Sequence, residues 1–178
     1  MKTRFVLIHT SHAGNVGATA RAMKTMGFGD LVLVAPRWPN VLRREETIQR
    51  ASGALDVLEN ARIVATLDEA LDGVSHLCAT AMTPRDFGPP TVAPRAHFET
   101  LLKGELEWVD VKKNSKKSEL LTHTEQAIEA KNTSSFAPDV SAPAASSAEA
   151  GIAFLFGSER FGMANEDVYR CHVALSIP

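Results

Sequence analysis

The chain has 178 residues, 44% of them hydrophobic, and a formal charge of −2, which suits one buried core in one domain, or in a domain carrying an insertion. That balance excludes a uniformly basic surface, so any nucleic-acid affinity must come from local clusters of Lys and Arg. Cys78 and Cys171 give neither a disulfide framework nor zinc spacing and suit a reducing, cytoplasmic setting, while the opening FVLIHT is too short for a signal-peptide core or a membrane span.

Phe5 to Thr10 is an apolar run of strand length. From Val16 onward, Ala18, Ala20, Ala22, Met23 and Met26 give a helical apolar surface, stopped by Gly27 and Gly29. LVLVAP at 31 to 36 reads as a second strand, and RREETIQRASGALDVL as helix with a break at Ser52-Gly53. ARIVATL at 61 to 67 is a third strand candidate, Asp68 a helix start, and HLCATA at 76 to 81 a fourth strand leading into TPRDFGPP. After His97 the pattern degrades: FETLLKGELEWVDV is ambiguous, and NTSSFAPDVSAPAASSAEA is a Ser/Ala/Pro-rich stretch without a packing pattern. Order returns with GIAFLFG at 151 to 157, then SERFGMANEDVYRC, then HVALSIP as a last strand. Strands alternating with helices predict an α/β fold with a mostly parallel sheet flanked by helices. The expected organisation is a core formed by 1–98 and 150–178, with 99–149 an insertion that is in part a disordered connector.

In an open parallel sheet, ligands bind beyond the carboxyl ends of the strands. Three polar loops fall there: TSHAGNVG, TAMTPRDFG and GSERFG. The first opens a helix, whose free N–H groups and dipole favour an anion. Asn15 and Arg21 lie six apart and share no helix face by periodicity, but they converge if Asn15 belongs to the turn and Arg21 to the helix. Arg21 could grip a phosphate; equally, Asn15 could cap the helix and Arg21 be a solvated charge. The loop lacks the Lys-Ser/Thr pair of a P-loop and the G-x-G-x-x-G of a dinucleotide fold. In GSERFGM, Gly157 and Gly162 bracket Glu159, which is either displayed toward a ligand or part of a plain surface turn.

His9, read as lying within a strand, and His12 have no third partner at metal-ligand spacing. Ser11 and His12 are adjacent with no orienting acid, which speaks against a Ser-His-Asp hydrolase. Arg37, Trp38, Arg43, Arg44 and Arg50 form either a basic rim with one stacking aromatic, suited to RNA, or a helix face paired with Glu45 and Glu46. Lys112, Lys113, Lys116 and Lys117 read first as a solvated segment and second as an RNA contact.

Taken together, TSHAGNVGATARAMKTMGFGDLVLVAP, CATAMTPR and FLFGSERFGMANEDVYRCHVALSIP resemble the SpoU/TrmH class of RNA ribose 2′-O-methyltransferases, nearest its TrmJ-like tRNA branch. The likeness covers about 1–98 and 150–178. It implies an α/β-knot (SPOUT) fold, a homodimer, S-adenosylmethionine as cofactor and methyl transfer to a ribose 2′-hydroxyl of RNA, with tRNA as the partner and neither membrane nor metal. By this resemblance Asn15 and Arg21 handle the RNA phosphate and ribose, Arg21 helping, with a phosphate, to take the 2′-hydroxyl proton. Thr80, Ala81 and Met82 match a cofactor-binding strand-end loop, although the family often has Thr-Ser-Ala there. Gly157, Glu159 and Gly162 match the second motif, and Ile177 a cofactor-contacting position. The family continues with a Ser-Leu-Asn third motif that is absent after Pro178, so the expectation is a truncated core with an incomplete knot. The competing expectations are a noncatalytic RNA-binding module with a vestigial cofactor pocket and, further off, a small anion-binding or hydrolytic α/β domain.

Overall fold

A computed structural model describes residues 2–81, 84, 87–106 and 151–176. Its seven strands, all paired in parallel, form one sheet in the order β3-β2-β1-β6-β4-β7-β5. They are β1 (Lys2–Ile8), β2 (Asp30–Val34), β3 (Arg62–Val64), β4 (His76–Thr80), β5 (Thr91–Val92), β6 (Gly151–Phe156) and β7 (Val173–Leu175). The helices are α1 (Ala13–Thr25), α2 (Glu45–Ala51), α3 (Leu55–Asn60), α4 (Leu67–Ala70), α5 (Pro94–Leu102) and α6 (Asn165–Tyr169), with a 3₁₀ turn at Val41–Arg43. The expected α/β class with a parallel sheet is what the structure has; the knot lies outside what the described residues show.

Strand alternation sorts the core into layers. Val6, Ile8, Val32, Val34, Leu77, Ala79, Ala153 and Leu155 share one cluster with Leu67 and Ala70 of α4 and Val168 of α6. Leu7, Leu31 and Leu33 pack instead with Ala13, Val16, Ala20 and Met23 of α1, Ala51 of α2 and Val57 and Leu58 of α3. Cys78, Ile152, Phe154, Val173 and Leu175 form a third cluster, against which Leu101 of α5 packs.

Several sequence expectations shift at their ends. The first helix begins at Ala13 rather than Val16, because Gly14 and Gly17, poor helix formers by propensity, are helical here for packing. A Cβ on Gly17 would stand 2.1 Å from the Thr47 carbonyl oxygen and 2.9 Å from the Ala51 nitrogen, so these glycines let α1 and α2 come together. Its end follows expectation: Gly27, at φ +80°, lets its own N–H reach the Lys24 carbonyl (3.1 Å) and that of Phe28 reach Met23 (2.8 Å), a Schellman stop. The break at Ser52 is real, with φ +53°.

The third strand is only Arg62–Val64, and Leu67, assigned to it from the sequence, instead opens α4 behind a Thr66 cap whose hydroxyl accepts from the Glu69 N–H (3.3 Å). The last strand is three residues within the expected 172–178. Strand β5 and helix α5 were not recognised in the sequence. Two residues are too few to show a period, and α5 starts with Pro at its first position after a Pro-rich loop. Secondary structure thus continues to Leu102, four residues past the expected core boundary, and residues 107–150 lie outside the described ones.

Candidate methyl-transfer site

The site is built where β1 and β6, paired from Lys2↔Gly151 to Leu7↔Phe156, both end. Beyond Ile8 the chain turns sharply. His9, read from sequence as a strand residue, lies just past β1 with φ +52°, and Ala35 stands past β2 with φ +41°. Left-handed backbone in non-glycine residues costs about 1–2 kcal/mol each, and the surrounding bonds hold it. The His9 N–H donates to the Val34 carbonyl, that of Ala35 to Val64, both at 2.9 Å. The turn aims Thr10 and Ser11 across the top of the sheet.

The second motif meets them from β6. Ser158 and Gly162 exchange two backbone hydrogen bonds of 2.9 Å, and the Phe161 N–H donates to the Ser158 hydroxyl (3.1 Å). Gly162 has φ +69°. At Gly157 a Cβ would lie 2.2–2.3 Å from backbone atoms of Gly162 and Met163, so only glycine closes this loop. The loop's function is to present Glu159.

Four donors converge on that carboxylate. Thr10 Oγ1 (2.6 Å) and Asn15 Nδ2 (2.9 Å) donate to Oε1; the Ser11 N–H and Ser11 Oγ, both at 2.8 Å, donate to Oε2. Partial desolvation pushes the Glu159 carboxyl up, but the bonds from Thr10, Ser11, its own backbone and Asn15 outweigh it and hold the group well below the usual carboxylate range. The start of α1 has no acidic residue of its own. The anion expected at that helix start is the chain's own Glu159, whose negative charge suits the dipole.

Asn15 and Arg21 are both helical, in α1, so the condition on which the two would converge, Asn15 lying in the turn, is not met. At 100° per residue their side chains leave the axis about 120° apart. Asn15 joins Glu159. The Arg21 side chain is exposed, and none of the described residues hydrogen-bonds or ion-pairs with its guanidinium. It falls on the Gly14–Gly17 ridge that abuts α2, where a Cβ on Gly17 would lie 2.9 Å from Arg50 Cβ. The fold therefore ties one member of the pair into the carboxylate hub and leaves the other with an uncommitted cation. His12 precedes α1 without a side-chain capping bond.

The loop after β4, expected from the resemblance to meet the cofactor, is arranged differently. Strands β6, β4 and β7 lie side by side, so the chain after Phe156, Thr80 and Leu175 leaves the sheet at one edge. Thr80 Oγ1 donates to the Leu155 carbonyl (2.9 Å) and the Ala81 N–H to Leu175 (3.1 Å), fixing the three strand ends relative to one another. Met82 and Ile177 lie outside the described residues. In the chain that follows β6 and β4, Phe161 is 86% exposed and Phe87 89%, apolar surface of the kind that covers a heteroaromatic ring. Backbone-rich strand ends and exposed rings fit a nucleoside-bearing cofactor.

A second cluster of ionisable groups was missed in the sequence. His76 and Cys78 of β4, His97 of α5 and His172 before β7 come together under the sheet. Cys78 Sγ is 3.4 Å from His97 Nε2, and His76 stacks on both His97 (centroids 5.3 Å) and His172 (4.8 Å). The Leu77 N–H donates to His172 Nδ1 (2.9 Å). Burial lowers the pKa of His97 and His172 and pushes that of Cys78 up to about 12. Donor atoms of His76, Cys78 and His97 lie within 4.8 Å of one another. The His76 and His97 rings are within 15° of parallel, so no ion can lie in both ring planes, and the cluster reads as neutral packing. His97 is invisible to sequence periodicity because α5 is.

A profile of the SpoU rRNA Methylase family matches residues 2–88. The TrmJ tRNA (cytidine/uridine-2′-O-)-methyltransferase of Escherichia coli K12 is 36% identical over 174 residues, 98% of this chain and 52% of that protein. The chain thus spans about half the length of the curated relatives it matches. Among solved structures, a probable methyltransferase from Bordetella pertussis Tohama I is 34% identical with a TM-score of 0.63, covering 99% of this chain and 81% of that one. TrmJ from Zymomonas mobilis ZM4 gives a TM-score of 0.67 at 27% identity, covering 100% of this chain and 59% of that one. With the first and second motifs joined through Glu159 and these likenesses running the length of the chain, it belongs to the SpoU methylase family.

Proposed function

We propose that this chain forms the cofactor- and RNA-handling core of a tRNA ribose 2′-O-methyltransferase that uses S-adenosylmethionine. The observation that carries the reading is the carboxylate hub: four donors from the first motif converge on the single acid of the second. That arrangement fixes the position of helix α1, and with it Arg21, relative to the strand ends. The similarity to the E. coli tRNA methyltransferase supports tRNA as substrate.

When bound, S-adenosylmethionine supplies an electrophilic methyl on a sulfonium sulfur. Attack by a ribose 2′-hydroxyl on that methyl would break the carbon–sulfur bond and release the hydroxyl proton, for which the chain must provide a route. A guanidinium stays protonated and cannot take it. Arg21 holds an RNA phosphate oxygen beside the hydroxyl, and the phosphate oxygen takes the proton. By the family resemblance, Thr80, Ala81, Met82, Gly157, Gly162 and Ile177 would hold the cofactor, with Glu159 keeping its loop in register and Asn15 orienting both hub and ribose. The same reading assigns 99–149 as an insertion in a core formed by 1–98 and 150–178, a homodimer as the working assembly, and the cytoplasm as location. Among the described residues no helix is long and apolar enough to cross a membrane.

The test is transfer of a labelled methyl group from S-adenosylmethionine to an unmodified tRNA transcript, with ribose 2′-O-methylation read by nuclease digestion. Arg21→Ala should lower transfer roughly 100-fold or more, the scale of a lost proton-transfer device, while leaving cofactor affinity unchanged. Transfer at the parent rate by that variant would remove Arg21 from the reaction. A folded protein that binds tRNA but neither cofactor nor methyl would instead establish a noncatalytic RNA-binding module.

A further inference from the structure

The loop after β2 carries a cationic device that the reaction does not use. Trp38 has the Arg37 guanidinium carbon 4.8 Å and that of Arg44 4.5 Å from its ring centroid, both within cation–π range. The indole is half-buried against the α1–α3 core cluster, so it is a fixed plate rather than a mobile side chain. Its carbonyl accepts from the Val41 N–H (3.0 Å), which starts the 3₁₀ turn leading to Arg44.

The sequence left open whether these arginines pair with Glu45 and Glu46. Glu45 accepts instead from Gln49 (2.9 Å), and Glu46 Oε1 lies 2.5 Å from where a Gly14 Cβ would stand. Among the described residues none of Arg37, Arg43, Arg44 and Arg50 has an acidic partner. In a chain of net charge −2, a group of unpaired guanidiniums is a local positive field. Guanidiniums held against an indole without an acidic partner keep N–H groups available for bidentate phosphate contact.

Position decides the partner. The Arg37 N–H donates to the Thr10 carbonyl (3.0 Å), and Thr10 Oγ1 donates to Glu159. The backbone of Arg37, next to the plate, is thus bonded to a residue of the hub, while Arg50 stands beside the ridge that carries Arg21. We infer that Arg37 and Arg44, held on Trp38, form a phosphate clamp for the RNA strand flanking the nucleotide to be methylated, with Trp38 as its positioning residue. The inference rests on the methyltransferase reading for what that strand is, but not for the clamp's affinity.

The experiment titrates the protein with an unmodified tRNA transcript over a range of salt. The Arg37→Ala/Arg44→Ala double variant should bind at least 10-fold more weakly at low salt, and its log–log salt slope should be shallower by roughly 1.5, because two phosphates are no longer neutralised. Its thermal midpoint, its cofactor affinity and its transfer rate at saturating tRNA should match the parent. In a Trp108→Phe background, which leaves Trp38 as the sole tryptophan, indole emission should change as tRNA binds. Trp38→Phe should retain most of the affinity, and Trp38→Ala should lose it. An unchanged affinity and slope in the folded double variant overturns the clamp and leaves the methyltransferase reading standing on its transfer assay. A parent that transfers no methyl, yet loses tRNA when the two arginines are removed, overturns that reading and keeps the clamp.

Discussion

The two groups of ionisable side chains in this molecule, at the carboxyl ends of β1 and β6 and beneath β4 and β7, are held by opposite physics. At the strand ends, Glu159 keeps its charge because Thr10, Ser11 and Asn15 supply four donors. Under the sheet, burial lowers the pKa of His97 and His172 and raises that of Cys78, favouring their neutral forms. The first arrangement preorganises an ion, at the expense of left-handed backbone at His9 and Ala35. The second fills space between β4, β7 and α5. Apart from His172, which accepts from the Leu77 N–H, residues of the second kind can be exchanged for an apolar set of similar volume, whereas the first depends on each donor being in place.

The sharpest way to break this contrast is at Gly157. Alanine there puts a methyl group 2.2–2.3 Å from backbone atoms of Gly162 and Met163, and backbone cannot swing aside. Gly157→Ala should cost about 3 kcal/mol, the upper end for an overpacked site, and should displace Glu159 from its donors. Denaturant unfolding gives the first quantity and cofactor affinity reports the second. Gly53→Ala, where nothing lies within 4 Å of the added carbon, should move the midpoint within about 0.5 kcal/mol.

The same contrast explains what could be read from the chain beforehand. The strand end was legible because its parts are contiguous motifs: TSHAGNVG and GSERFG each carry glycine and polar punctuation next to an apolar run. Their joining was not. Thr10 reads as the end of the first strand and Ser11 only as a nucleophile candidate beside His12, and nothing in spacing shows that residues 148 or 149 positions apart from Glu159 share its carboxylate. Arg21 was legible as a cation of interest, but its 120° separation from Asn15 appears only once both are known to be helical. The imidazole cluster drew no attention because His97 sits on a helix hidden behind Pro89, Pro90 and Pro94, and because His172 and Leu77 pair across strands distant in sequence.

A smaller effect is expected in the imidazole region. His172 Nδ1 is the acceptor for the Leu77 N–H, and its ring stacks on His76. His172→Ala leaves that amide without its acceptor and opens a gap beneath β4, a loss of about 2 kcal/mol. If the cluster packs without using its nitrogens, His172→Phe would match the parent; the expected result is that Phe recovers the stacking but not the missing acceptor, and falls between parent and Ala.

Acid should separate the two regions by pH. His97 and His172 have folded pKa values below their ordinary 6.5, so between 6.5 and those lower values the unfolded chain binds more protons than the folded one. Stability therefore falls as pH drops below about 6.5. Glu159 acts lower: its folded pKa lies beneath its ordinary 4.5, and its contribution is complete above 4.5 and lost below it. Asp167, raised above its ordinary 3.8 by burial and the neighbouring Glu166, opposes part of that second loss. Unfolding midpoints measured from about pH 8 to about pH 3 should show two descending limbs. His172→Phe should diminish the upper limb alone, and Glu159→Gln the lower one.

The mildest probe leaves the protein intact. Cys78 is fully buried with its thiol pushed up to about 12, and burial raises that of Cys171 still further. Thiolate, the reactive form, is therefore scarce at neutral pH, and neither sulfur meets solvent. Labelling by a disulfide reagent should proceed at the rate at which the β4–β7 region opens, and both sulfurs should react together once denaturant is added. His97→Ala removes the ring 3.4 Å from Cys78 Sγ and exposes that sulfur without touching Cys171, which packs with the α4 and α6 residues of another cluster. Accelerated labelling of Cys78 alone in that variant would show that α5 is the cover of the imidazole region. Equal acceleration at both cysteines would mean instead that the two faces of the sheet open as one unit, and that the contrast between the regions is confined to their charges.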